Sequence, residues 1–353
     1  MINEAIKRAI PDFFVSGNKK ITTLEEWSEK REELKELFLK TEYGKRPPIL
    51  TPEITTEEQG VNFANKARWE SVFFKFKNEK GEHTVRTELI LPKSEAPVPV
   101  FLYISFSPDV PNKYLPMEEI LDNGFGVFTF YYENVTTDNG DFENGLCALF
   151  DRENEDFGKI TIWSYMASIC MDYLCTRREV DTKNVAVVGH SRLGKTALLT
   201  SALDERFVLT CSNESGCCGV AVSRGKTDKN ESIRDIIRVF PFWFVRDFAK
   251  YVDNEDQLPF DQHMLLALVA PRYAMVGGAI EDVWADNEGQ LLSCQLASYA
   301  WSLYGKKGFV EGKNDEHLDG EACFHLRGGS HFMSRYDWNV YMRKFKMILE
   351  GQK

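Results

Sequence analysis

The chain has 353 residues, of which 43% are hydrophobic and 13% aromatic. That is enough to bury a large core and too apolar for global disorder. With 54 acidic against 43 basic residues the net charge is −11, which argues against nucleic acid or an anionic membrane as partner, because phosphate surfaces demand clustered positive charge.

No heptad or internal repeat is sustained along the chain, so coiled coils and solenoids fall away. Residues Met1 to Ile10 contain no apolar run of the ~7–15 residues a signal peptide needs, and no stretch approaches the ~18 apolar residues of a membrane helix. The eight cysteines show no paired C-x-x-C spacing for zinc, and several lie within apolar runs as small hydrophobes. These features predict a reduced, cytoplasmic protein without metal.

In chain order, Thr22-Thr23-Leu24-Glu25-Glu26 reads as a capping box opening a charged helix with Trp27, Leu34, Leu37 and Phe38 on it. Arg46-Pro47-Pro48 ends that segment, and the first eighty residues read as an N-terminal helical and loop layer. Strand alternation follows in Ser71–Phe76 and Val85–Leu91, around a turn at Gly81. Val98–Ile104 and Gly126–Phe130 are nearly continuous apolar runs, as in strands buried on both faces. A helix is predicted over Ile160–Cys175, a strand at Val185–Val188, a helix to about Ala202 and a strand at Phe207–Cys211. Later strands are predicted at Tyr273–Ala279 and Ala322–Leu326, and later helices at Leu291–Tyr304 and Tyr336–Leu349. Strands alternating with helices predict a mostly parallel α/β sheet. Without a Pro/Gly/Ser linker, residues 1–353 read as one domain, with 1–80 an extension packed on a catalytic core of 81–353.

The loop after the strand at 185–188 supports two chemistries. Gly189-x-x-x-x-Gly194-Lys195-Thr196 matches a P-loop, in which Lys195 would reach phosphate oxygens and Thr196 would hold Mg²⁺. The same turn presents Ser191 as the nucleophile of an elbow, although Leu193 occupies the last position of the usual G-x-S-x-G pattern and the glycine falls one residue later. A serine needs a histidine base, which in turn needs a carboxylate. His331, in Arg327-Gly328-Gly329-Ser330-His331-Phe332, follows the last predicted strand. Glu214 and Asp282, with Glu281 beside the latter, follow two others, and open α/β sheets build their sites at such strand ends. On motif logic both readings stand.

The wider stretch resembles the glucuronoyl esterase family, carbohydrate esterase family fifteen, in its bacterial form. That family's elbow, G-[CH]-S-R-x-G-K, is Gly189-His190-Ser191-Arg192-Leu193-Gly194-Lys195. The likeness continues through Asn213–Gly219, Phe240–Phe244, Leu258–His263, Glu281–Asp286 and the His331 loop, roughly Phe157 to Trp338. It implies an α/β-hydrolase three-layer sandwich working without a cofactor. It further implies Ser191 as nucleophile, His331 as base, and Glu214 in the acid position of fungal members or Asp282 near that of some bacterial ones. Arg192 would serve the oxyanion, and Lys195, Glu231 and Trp284 would contact the sugar, whereas the fungal glutamine that also does so has no counterpart. His190 is read as structural. The implied reaction is hydrolysis of a carbohydrate ester through an acyl-enzyme, with a (4-O-methyl-)glucuronate ester of xylan-type oligosaccharides as substrate. A carbohydrate acetylesterase with the same triad is the alternative, and a P-loop nucleotide-binding protein the remote one. Family members are largely secreted, so a cytoplasmic member would act on imported fragments or on a shifted substrate.

Overall fold

Short runs of branched and aromatic residues recur after residue 80, and in the computed structural model, which describes residues 7–16, 19–60, 62–152 and 156–352, they form strands. The chain begins with β1 (Val15–Ser16), β2 (Lys19–Lys20), α1 (Leu24–Phe38), β3 (Glu53–Glu58), β4 (Ala67–Asn78), β5 (Gly81–Pro92) and β6 (Val98–Ser105). Next come α2 (Met117–Asp122), β7 (Gly126–Tyr131), α3 (Tyr132–Val135), α4 (Lys159–Leu174), β8 (Val180–His190), α5 (Arg192–Leu203) and β9 (Leu209–Asn213). The last third holds α6 (Ile233–Val239), α7 (Gln262–Ala267), β10 (Tyr273–Ala279), α8 (Asn287–Leu303), β11 (Glu316–His317), β12 (Ala322–Arg327) and α9 (Arg335–Gly351).

Ten strands make one sheet in the order β11-β12-β10-β9-β8-β6-β7-β5-β4-β3. The run from β12 to β7 is parallel, while β3, β4 and β5 extend it antiparallel. Successive side chains of a strand face opposite ways, so β6 feeds two cores. Val100, Leu102 and Ile104 belong to the core that also holds Trp163 of α4, Ala197 of α5 and Trp301 of α8. Phe101 and Tyr103 pack with Ile120 of α2 and Trp338 and Phe345 of α9. Helix layers therefore cover both faces, which is the three-layer α/β-hydrolase arrangement. No helix of the described residues is long and apolar enough to cross a membrane.

The N-terminal region departs from the layer of helix and loop read from sequence. α1 does form behind a Thr23–Glu26 capping box and buries Trp27, Leu34 and Phe38, and β4 contains the strand predicted at Ser71–Phe76, but β3 also joins the main sheet, where no strand is predicted from sequence. All six residues of β3 are exposed, so it carries no apolar alternation from which to read a strand. Its three glutamates instead suit an edge that must resist further pairing.

β8, β9, β10 and β12 lie side by side and point the same way, with His190 beside Asn213 and Ala279 beside Arg327. Their carboxyl ends deliver four loops to one edge of the sheet. Those loops carry Ser191, Glu214, Asp282 and His331.

Candidate active site

Ser191 links β8 directly to α5 and takes φ 57°, ψ −127°. This conformation costs a residue with a Cβ of order 1–3 kcal/mol and persists only where its surroundings enforce it. The enforcement is local. The Ser191 amide donates to the Asn213 carbonyl at 2.8 Å. A Cβ on Gly189 would lie 1.9 Å from the Leu193 carbonyl oxygen, and one on Gly194 2.9 Å from that of Asn213. The glycine displaced from the usual pattern thus lets α5 pack against β9. The groups that a P-loop would aim at phosphate and Mg²⁺ are turned inward: buried Lys195 donates to the Ser215 carbonyl at 2.5 Å and Thr196 Oγ1 to the Arg192 carbonyl at 3.0 Å.

Ser191 and His331 line the same cavity of about 700 Å³, together with His190, Arg192, Phe106 and Tyr114. Both acid candidates reach the base. Nδ1 of His331 lies 2.6 Å from Asp282 Oδ2 and 3.2 Å from Glu214 Oε2. Glu214 has a second partner, since its Oε1 accepts from Arg327 Nη2 at 2.7 Å. Glu281 is exposed, and its amide donates to the Gly329 carbonyl at 3.0 Å.

The electrostatics separate the two carboxylates. Burial pushes Glu214 up to about 7 against the pull of His331 and Arg327. Burial pushes Asp282 up most strongly of any one influence, but its hydrogen bond and ion pair with His331, with the hydrogen bonds to Glu214 and the Ala285 amide, together outweigh it and hold its carboxyl below the ordinary range. For His331, burial disfavours the cation, yet the bonds to Asp282 and Glu214 prevail and push it up to about 9. His190 stays neutral: burial, with the His331 ring centre 4.5 Å away, takes it down to about 3, and its Nδ1 bonds Asn213 Oδ1 at 2.8 Å. Among the described residues His190, Glu214 and His331 bring possible metal-ligating atoms within 4.8 Å of one another. Glu214 is already held by Arg327 and Nδ1 of His331 by Asp282, an arrangement suited to proton transfer rather than ligation.

Arg192 opens α5, so its backbone N–H belongs to the unpaired, positively polarised end of that helix beside Ser191. Its guanidinium pairs with Asp138 and lies 4.8 Å from the ring centres of both Phe240 and Trp243. Asp138, nearly buried, also accepts from Trp243 Nε1 at 2.7 Å and from the Tyr132 hydroxyl at 3.1 Å. The sugar-contact candidates converge: Lys195 Nζ is 3.8 Å from Glu231 Oε2, the Glu231 amide donates to the Trp284 carbonyl at 2.9 Å, and the Trp284 side chain stands 45% exposed. Sequence reasoning missed Asp138 and Arg327. The first lies in Thr136-Thr137-Asp138-Asn139-Gly140-Asp141, which reads as an ordinary turn. The second was visible only as a neighbour of the His331 loop.

The family model described as "Glucuronyl esterase, fungi" matches residues 75–305. Carbohydrate esterase MZ0003 of an unknown prokaryotic organism is 33% identical, over 95% of this chain and 88% of that protein. The solved glucuronoyl esterase from Solibacter usitatus superposes with a TM-score of 0.85 at 30% identity, covering 96% of this chain and 97% of the other. The chain belongs to the glucuronoyl esterase family. It is accordingly a carboxylic ester hydrolase. A more distant relative, the 4-O-methyl-glucuronoyl methylesterase of Podospora anserina, is 27% identical over 97% of this chain and 68% of its own length. The family match takes in Ser191, Glu214 and Asp282 and stops short of His331.

Proposed function

We propose that this glucuronoyl esterase hydrolyses (4-O-methyl-)glucuronate esters of xylan-type oligosaccharides through an acyl-enzyme, with residues 1–353 acting as one catalytic domain. The observation that carries the mechanism is a strained serine facing one cavity with a histidine whose far nitrogen bonds a carboxylate. Ser191 Oγ attacks the uronate carbonyl carbon while its proton passes to Nε2 of His331. Asp282, on Nδ1, fixes the ring and stabilises the imidazolium that forms. The oxyanion develops beside the Arg192 N–H at the start of α5, where one such donor contributes about 3–4 kcal/mol in the transition state. Collapse breaks the bond to the alcohol, which leaves with the proton from His331. Water, deprotonated by His331, then releases the uronate and restores Ser191.

The relatives' own names, glucuronoyl esterase and 4-O-methyl-glucuronoyl methylesterase, support the uronate acyl group. So does the exposed Trp284 ring beside the partly exposed Glu231, on which a sugar can stack, with Lys195 buried behind them against the Ser215 carbonyl.

The test is labelling by a fluorophosphonate, with Ser191→Ala as control, beside turnover of benzyl glucuronate and of an acetylated xylan. Labelling at Ser191 with uronate-ester turnover is the expected result. Labelling with acetyl turnover alone would move the substrate and keep the mechanism, and absence of labelling would remove the serine reading.

A further inference from the structure

Two carboxylates approach one imidazole nitrogen, and a single guanidinium distinguishes them. Arg327, the last residue of β12, donates through Nη2 to Glu214 Oε1 at 2.7 Å. The same nitrogen reaches the carbonyls of Ser330 at 3.2 Å and of Phe332, the residues on either side of His331. Nη1 donates to the Gly328 carbonyl at 2.9 Å and Nε to Asp337 Oδ2 at 2.7 Å. Asp337 in turn holds His325 Nε2 at 2.7 Å and Asn213 Nδ2 at 3.2 Å, so the network is rooted in α9 and in β9. The remaining Glu214 oxygen accepts from the Phe332 amide at 3.2 Å.

Arg327 therefore ties the acid strand to the base loop on both sides of His331 and compensates the charge of Glu214. Asp282 carries no such link to Arg327, and its ion pair is with His331 itself. Around the imidazole stand Asp282 from the loop after β10, Glu214 from the loop after β9 and neutral His190 from the end of β8. A buried guanidinium with directed donors on one carboxylate is the geometry of a strong, oriented ion pair.

We propose that Arg327 is a positioning residue that selects the acid: by holding Glu214 it leaves Nδ1 of His331 to Asp282, and by strapping the Ser330 and Phe332 carbonyls it holds the base in register. The proposal rests on the Ser191–His331 reading above. Releasing Glu214 should let it take over Nδ1, because it already stands within hydrogen-bonding range of that atom.

The experiment measures kcat and KM for benzyl glucuronate in wild type and in Arg327→Met, Arg327→Gln and Arg327→Lys, each with and without Asp282→Asn, with active sites counted by fluorophosphonate. Arg327→Met should lower kcat ~10–100-fold at nearly constant KM, the signature of an interaction used in the transition state. In the Met and Gln backgrounds Asp282→Asn should cost at least ~5-fold less than in wild type, since two residues that act on one imidazole do not behave additively. Arg327→Lys, which keeps the charge beside Glu214, should retain the wild-type dependence on Asp282. Gln keeps hydrogen-bonding capacity without charge, so it carries the comparison if the Met variant does not fold. An Asp282→Asn loss of the same size in wild type and in the Gln variant overturns the proposal. Ser191→Ala that still turns over overturns the triad and the proposal together, whereas an inactive Ser191→Ala beside an Arg327→Gln variant with wild-type behaviour overturns the proposal alone.

Discussion

Asp282→Asn and Glu214→Gln are matched perturbations, since each trades one carboxylate oxygen near Nδ1 of His331 for an amide. The transition state puts a full positive charge on the imidazole, so the loss follows the charge each carboxylate has available. Two unit charges about 4 Å apart interact by about 4 kcal/mol at an effective dielectric of ~20. His331 is 45% exposed on its side chain, and solvent screening reduces that to about 3 kcal/mol, or roughly two decades of kcat. Asp282 should show this loss. Glu214 lies 3.2 Å from Nδ1 but 2.7 Å from Arg327, and opposite charges at similar range cancel most of its field. Its removal should cost under ~10-fold, below about 1.4 kcal/mol. Benzyl glucuronate turnover at the alkaline plateau, per fluorophosphonate-titrated site, measures both. A larger loss for Glu214→Gln than for Asp282→Asn would refute the argument, because compensation by Arg327 would then have no catalytic consequence.

The remaining predictions address pH, the oxyanion side and the sugar. His331 must be neutral to take the serine proton, and its carboxylate partners push it up to about 9, so kcat/KM should rise with pH through that range. In Asp282→Asn the acidic limb should move to lower pH, because removing an anion disfavours the imidazolium, and an unmoved limb would show that another group sets it. Asp138→Asn keeps an acceptor for Trp243 while removing the charge that holds Arg192, so kcat should fall ~10-fold with KM little changed, which is less than the ~100-fold or more lost with an oxyanion donor itself. Trp284→Ala should raise KM for a glucuronoyl-xylooligosaccharide ~5–10-fold with kcat nearly constant, as expected of uniform binding; unchanged KM would remove Trp284 from the substrate.

The legible parts of this protein are those where chemistry requires a residue type at a spacing along the chain. The elbow shows in Gly189, Ser191 and Gly194 because the turn needs two residues without Cβ and a nucleophile between them. His331 follows a strand because the sheet edge collects the ends of β8, β9, β10 and β12. β6 and β7 are readable because strands buried on both faces must be apolar throughout, whereas β3 is held by backbone pairing with β4 and needs nothing apolar of its own. The choice between Glu214 and Asp282 has no such trace. Both follow parallel strands and both reach Nδ1, and the difference between them is made by Arg327, 113 positions beyond Glu214. Asp138 stands in the same relation to Arg192 across 54 positions. Residues that act on the reacting atoms have types dictated by the reaction, so they can be sought by type and order. Residues that aim those groups need only a complementary charge at the right point in space, which many positions can supply, so their identity emerges only when the chain is folded.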